Sequence, residues 1–440
     1  MKTKVMVCWL SFCAVWGALA QDPSISSMTV RQRWPWSRLV DIDYVLTAPV
    51  GKRYDVQIQL YNGDTPLTVT EAAFEGDVFG VTEGARRIVL DPSKIVNANG
   101  SLLTQFRVQL DLTEPDLYLI ADLATGQISK VFGADLESGA YGAIVTNLVH
   151  GYPTLAWTGV TNDPVYKTTK MVFRRVPKGT FPMGIGGGQF TNQVAISKDF
   201  YMAVFETTQG QWKSITGSYD PYFMYKKADI RDYRPMDFSA YDYVRGSVAQ
   251  GINWPSSGTN VLAGGFIGKA RAKIGDQLVL DMPTEAQWEY ACRAGTETVF
   301  NDGDPAANVI APNHLTNQWL NALGRYKWDG GAIWNGTTWA QPDFATAEAD
   351  EGNAPVGLYA PNPWGLYDMH GNAAEFCLDW YTALPAGKDD PIGPDTGTAR
   401  CVRGGHWWVA ANGCTAFKRS SAVPDQRYWY AVRFTAPVSR

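Results

Sequence analysis

Outside the first twenty residues the chain holds four cysteines, Cys292, Cys377, Cys401 and Cys414, and these thiols are its best candidates for redox, nucleophilic or soft-metal chemistry. Four thiols allow three complete disulfide pairings, and in an exported chain an even count fits one or two bridges. The other reading keeps some of them free as metal ligands or redox groups. The polar and aromatic candidates gather in two stretches. One runs from Gly365 to Tyr381 as Gly-Leu-Tyr-Asp-Met-His-Gly-Asn-Ala-Ala-Glu-Phe-Cys-Leu-Asp-Trp-Tyr, and the other is Arg403-Gly404-Gly405-His406-Trp407-Trp408. Both put glycines, tryptophans and a few polar groups into tight turns beside apolar runs. Trp407, Trp408, Tyr428, Trp429 and Tyr430 form a cluster near the second stretch, suited to stacking on sugars or on apolar peptide side chains, or to packing a core. No Ser-His-Asp arrangement and no zinc-spaced Cys/His cluster stands out. Gly184-Ile185-Gly186-Gly187-Gly188 lacks the lysine and following helix of a phosphate loop.

Rigid elements must hold these turns. Met171 to Gly184 reads as a strand, a Pro-Lys-Gly turn and a second strand, and Phe200 to Glu206 reads as another strand. Thr208 and Gln211 have capping-box spacing, so a helix is expected to start there and stop at Gly217. Thr284 and Gln287 repeat that spacing ahead of Trp288, Ala291 and Cys292, which share one helical face, and Gly295 suits the stop. Between Asp302 and Gly352 the chain is rich in Gly, Asn, Asp and Trp with little periodicity, the texture of a functional or ligand-stabilised segment.

The frame around this region is set by length and charge. The 440 residues suffice for two or three domains, and 45% hydrophobic content is that of a globular protein. A formal charge of -5, with 38 Lys and Arg and no basic block, excludes binding by phosphate neutralisation, so nucleic acid is not an expected partner. Residues 1–20 place Lys2 and Lys4 before an apolar run and Ala18-Leu19-Ala20, the pattern of a cleaved export signal. This implies a secreted or periplasmic protein with no membrane association after cleavage. From residue 21 to 119, Val40–Leu46, Tyr54–Leu60 and Phe106–Leu112 alternate with period two between turn residues, which predicts a small β-sandwich of immunoglobulin or fibronectin type. Residues 120–169 read as a connector.

From residue 170 to 440 the chain resembles the sulfatase-modifying-factor superfamily, whose best-known members are formylglycine-generating enzymes. The resemblance rests on Arg175-Val176-Pro177-Lys178-Gly179-Thr180-Phe181-Pro182-Met183-Gly184, Phe205-Glu206-Thr207-Thr208, Met282-Pro283-Thr284-Glu285-Ala286-Gln287-Trp288-Glu289-Tyr290-Ala291, Gly365 to Asn372, Arg403-Gly404-Gly405 and Val432-Arg433-Phe434, in that order. It implies an α+β, loop-rich fold related to C-type lectins. It also implies an oxygen-dependent oxidoreductase that converts a cysteine of a protein or peptide substrate to an aldehyde, with copper held by two cysteines that have four residues between them. Soft thiolates suit copper(I). Aligned from Arg403, this chain has His406 where serine is usual, Val409 at the first cysteine position and Cys414 at the second. Cys414 is therefore the catalytic candidate, with His406 as a surrogate ligand; a structural Cys414, bridged to Cys377, is the alternative. The resemblance further implies a calcium-binding turn at Gly371, Ala373 and Glu375, since hard calcium takes oxygen ligands. In the competing reading Glu375 pairs with a nearby arginine. Arg403, Trp407, Trp408 and Trp429 are the binding candidates. Two functions follow: an exported oxidoreductase acting on protein or peptide cysteine, or a lectin-like module that binds glycan or peptide without redox chemistry.

Overall fold

The computed structural model describes residues 22–69, 73–97, 102–184, 192–304, 317–334, 336–383 and 389–438. The proposed export signal, residues 98–100 of the turn at Asn97, and Ile185 to Gly188 of the glycine run lie outside them. The chain divides into two compact units between Thr113 and Glu114.

In the first unit the period-two runs become antiparallel strands. They are β1 (Ser24–Gln32), β2 (Val40–Thr47), β3 (Asp55–Asn62), β4 (Thr65–Leu67), β5 (Phe74–Gly76), β6 (Gly84–Leu90) and β7 (Phe106–Thr113). They form two sheets, ordered β1-β2-β6-β5 and β4-β3-β7. Alternation puts Ile42, Tyr44 and Leu46 of one sheet and Val56, Ile58 and Leu60 of the other into a shared core, which makes the unit a β-sandwich.

The second unit is mixed α and β, rich in sheet, with few helices and long irregular connections. The stretch 120–169, expected as a connector, contributes to it most of β8 (Tyr118–Asp122) and all of β9 (Ile128–Val131), the short α1 (Gly133–Glu137), β10 (Ile144–Val149) and β11 (Tyr152–Trp157). β8 pairs along its whole length with β12 (Lys170–Val176), so this stretch is part of a sheet. Next come β13 (Gly179–Met183), β14 (Asn192–Ile196), β15 (Phe200–Ala203), α2 (Gln209–Thr216), α3 (Tyr241–Val244), α4 (Phe266–Ile274) and α5 (Glu285–Arg293). The chain closes with β16 (Ile333–Trp334), β17 (Trp339–Ala340), β18 (Ala374–Trp380), β19 (Arg400–Arg403), β20 (Ser420–Ala422), β21 (Tyr430–Ala431) and β22 (Thr435–Pro437). The main sheet is ordered β22-β15-β12-β8-β9, and a second is ordered β20-β19-β18-β21.

Both capping boxes form. Thr208 accepts from the Gln211 N–H and Thr284 from the Gln287 N–H, while each glutamine side chain answers its cap residue. α2 stops at a left-handed Gly217, as expected. α5 stops one residue earlier than expected, with Ala294 itself at φ 46° ahead of Gly295. The predicted face of α5 is buried: Trp288, Ala291 and Cys292 join Phe181, Met183, Trp364 and Leu366 in one cluster. Each large apolar side chain so buried stabilises the fold by about 1.5–3 kcal/mol. β18 and β19 pack against this helix, and the two glycine-rich turns leave from their ends.

Candidate functional site

The Arg-Gly-Gly turn is fixed from below by ion pairs. Arg403 has a fully buried side chain and bridges α5 through Glu289 and, at 3.4 Å, Glu285. It also donates to the carbonyls of Ala416 at 2.7 Å and Phe417 at 3.2 Å. Glu289 accepts in addition from Arg293 Nε at 2.9 Å and from the Gly184 N–H at 2.8 Å. Arg403, a binding candidate by sequence, is therefore committed to holding α5, β19 and the following loop together.

The turn at Gly371 to Glu375 is fixed in a similar way. Gly371 has φ +99°, and a Cβ there would stand 2.0 Å from the Arg325 carbonyl oxygen, so glycine is required. The Gly371 N–H donates to Gly404 O at 2.8 Å and the Trp407 N–H to Asn372 O at 2.9 Å, which ties the two motif turns to each other. Beneath them Glu206, wholly buried, accepts from Asn372 Nδ2 at 2.7 Å and from the Ala373 N–H at 2.8 Å. Glu375 accepts from Arg433 Nε at 3.0 Å, from Arg433 Nη2 at 2.7 Å and from Trp288 Nε1 at 2.6 Å. Both carboxylate oxygens thus face protein donors, and the Asn372 carbonyl is already in use. This geometry does not fit a calcium ion held by Gly371, Ala373 and Glu375; the arginine pairing takes its place. Among the described residues no group of three or more His, Cys, Asp and Glu side chains could hold a metal ion.

The thiols carry a second correction. Cys292, Cys377, Cys401 and Cys414 are all buried and all free, not bridged as the even count suggested. Cys414 packs with Val299, Phe300, Leu320, Leu323 and Tyr326, whereas Cys377 belongs to the cluster around α5, so the Cys377–Cys414 bridge does not form. Cys401 donates its S–H to Glu285 Oε2 at 3.2 Å. Cys292 lies 3.8 Å from His370 Nε2.

At the position of the expected copper pair, Cys414 and the side chain of Val409 face the same apolar cluster. Burial pushes the Cys414 thiol well above its ordinary pKa, away from the thiolate that a soft metal needs. His406 does not supply the missing ligand. Its Nδ1 accepts the Trp408 N–H at 3.2 Å, so the other nitrogen carries the proton of the neutral ring. Burial lowers its pKa to about 4, and the ring packs on Trp429 at 5.0 Å and Tyr428 at 5.8 Å. The residues present do not fit a copper centre. His370 is held within the scaffold: it engages the Cys414 carbonyl at 2.7 Å and the Asn301 N–H at 3.1 Å, and burial lowers its pKa to about 4.

The aromatic candidates separate into two kinds. Trp407 and Trp429 are core, buried with Tyr225 and Ala347, their rings 4.9 Å apart. Trp408 is only half buried, and Lys327 Nζ sits 4.7 Å from its ring centre. That lysine also lies 4.6 Å from the ring of Trp328, which packs on Trp339 at 5.1 Å, which in turn packs on Trp334 at 5.5 Å. Trp334 is 53% exposed. The strip is anchored to the motif turn by the Lys327 N–H, which donates to Val409 O at 2.9 Å. Sequence reasoning marks this segment as irregular and Trp-rich but singles out none of its residues. The available signal is Ile333-Trp334 and Trp339-Ala340 across a short glycine- and threonine-containing turn, a hairpin pattern with a cross-strand tryptophan pair.

A family model described as the sulfatase-modifying factor enzyme 1-like domain matches residues 158–431. A formylglycine-generating enzyme of Thermomonospora curvata is 36% identical over 154 residues, which are 33% of this chain and 45% of that protein. A formylglycine-generating enzyme of Streptomyces coelicolor is 34% identical over 151 residues, 33% of this chain and 42% of that protein. The chain thus spans less than half the length of these curated relatives. Among solved structures, Treponema denticola variable protein 1 aligns with a TM-score of 0.43 at 18% identity, covering 67% of this chain and 99% of that one.

Proposed function

This chain belongs to the sulfatase-modifying factor enzyme 1-like family, matched over more than half its length, and we propose that it is an exported, non-catalytic member that binds an acidic glycan. The observation that carries this reading is the strip Trp408, Lys327, Trp328, Trp339 and Trp334. Its indoles are partly or largely exposed, and its one ammonium lies between two of their rings. Exposed indole faces stack on the apolar faces of sugar rings, and a lysine whose charge meets only ring faces among the described residues can pair with a sugar carboxylate or sulfate. An oxidase reading needs a second soft ligand near Cys414, and Val409 and His406 do not provide one. No described helix is long and apolar enough to cross a membrane.

The test is a glycan array that includes neutral and acidic polysaccharides, run beside a peptide array. Binding to acidic glycans is expected, and it should disappear on Lys327→Gln while thermal unfolding is unchanged. A silent glycan array, or binding confined to peptides, overturns the proposal. Stoichiometric copper in the purified protein with Cys414 as a ligand would return the chain to the oxidases.

A further inference from the structure

A cavity of about 440 Å³ opens beside the N-terminus of α5 and shares no lining residue with the aromatic strip. Its walls include Met183, Ala286, Trp380, Pro391 and Ile392, and its polar residues among those described are Glu285, Asp379, Thr382, Asp389, Asp390 and Arg419. The single arginine is already used. Arg419 donates to both oxygens of Glu285, at 2.6 and 2.7 Å, and to the Thr382 carbonyl at 2.6 Å. Asp390 is held by the backbone N–H and hydroxyl of Ser197.

Asp379 is different. It is 4% exposed, and its Oδ2 accepts the Glu285 N–H at 2.7 Å. Besides its own backbone N–H, the carboxyl has the Glu285 N–H as its one donor among the described residues, and the residue lines the cavity. A carboxyl at a cavity wall with a single donor from another described residue has acceptor capacity left for a ligand, and a wall that adds further carboxylates selects a positive partner. The flat indole of Trp380 and the aliphatic surface of Met183 and Ile392 suit a methylene stem. We propose that this cavity binds an alkylammonium group, with its charge on Asp379 and its stem against Trp380 and Ile392. A free aliphatic amine and a lysine side chain of a partner protein present the same chemistry. The site is independent of glycan binding.

Burial, and next the charge of Glu285, raise the Asp379 carboxyl to about 7, and the backbone N–H groups of Glu285 and Asp379, then Arg419, only partly offset this. Among the described residues, the other charged groups lining the cavity are Glu285, Asp389, Asp390 and Arg419. A bound cation favours the ionised form of Asp379, so affinity falls as pH drops through about 7, while an alkylamine with pKa about 10.4 stays charged.

Calorimetric titration of the full chain with pentylamine and with Nα-acetyl-lysine amide, against pentanol and pentanoate, tests this. Saturable one-site binding of the amines is expected, with pentanol and pentanoate silent. Affinity should fall by about tenfold or more from about pH 8 to about pH 5.5. Asp379→Asn keeps an acceptor for the Glu285 N–H and should abolish binding while the variant still melts cooperatively, at no lower temperature than the parent. Binding of the amide but not of pentylamine identifies a lysine side chain as the ligand, and the reverse a free amine. Absence of heat with both amines, equal binding of pentanol, or an affinity independent of pH in the unaltered protein each overturns the proposal. The pH series on the unaltered protein is decisive even if the variant does not fold.

Discussion

Glu375 and Asp379 lie four residues apart on β18, and both are buried, at 1% and 4% exposure. Around Glu375 the fold supplies three donor groups, two from Arg433 and one from Trp288. Around Asp379 it supplies one backbone N–H from another described residue, besides the residue's own, at the wall of a cavity. Equal burial has opposite consequences because the desolvation of a carboxylate is offset only by the donors that replace water. Glu375 is therefore a joint, tying α5, β18 and the segment before β22 together. Arg433 extends that joint by donating to the carbonyls of Ala203, Val204 and Tyr367. Asp379 is an acceptor only half satisfied by the fold, and such acceptors are where a partner adds most.

The contrast breaks most visibly at Arg433. Arg433→Ala leaves Glu375 buried without its cation and three carbonyls without their donor, so stability should fall by about 3–5 kcal/mol. The urea midpoint of unfolding measures this; a loss under about 1 kcal/mol would mean that Glu375 is no joint.

At Asp379 the sign reverses. Its folded pKa, about 7, stands above the unfolded value of about 3.9, so the folded state binds more protons between those limits. The stability due to this group is fully present below about pH 4 and is lost as pH rises through about 7. Asp379→Asn removes the loss, so the variant should match the parent near pH 4 and exceed it by about 1–3 kcal/mol near pH 8. Melting curves at both pH values read the difference. A variant less stable than the parent at the higher pH would place Asp379 among the paired carboxylates.

How much of this the sequence discloses follows from sequence separation. The caps at Thr208 and Thr284 are legible because donor and acceptor are three residues apart, and the strands of the first unit because alternation is local. The partners of Glu375 lie 58 and 87 residues away, so only the competing expectation of a nearby arginine touches the outcome. The motif order carries the family but not the state of its centre. Val409 announces the lost thiolate, whereas the apolar packing of Cys414 and the acceptor role of His406 Nδ1 depend on loops that converge only in the folded chain. Asp379 sits inside Cys377-Leu378-Asp379-Trp380 with no local mark of the cavity it lines.

The same distinction extends to the tryptophans, and there the stability effect is smallest. Trp288 is fully buried and its N–H is spent on Glu375, whereas Trp334 is 53% exposed and touches the fold mainly through Trp339. Trp334→Ala removes one cross-strand aromatic contact, so unfolding should shift by less than about 1 kcal/mol. If the strip is a ligand platform, the same change should weaken acidic-glycan binding by about tenfold, since exposed aromatic anchors contribute disproportionately to an interface. Titration of parent and variant with the best array ligand, beside their melts, separates the two effects. A variant that melts normally and binds as tightly as the parent would leave Trp334 an ordinary surface residue and shrink the platform to Lys327 and its two flanking rings.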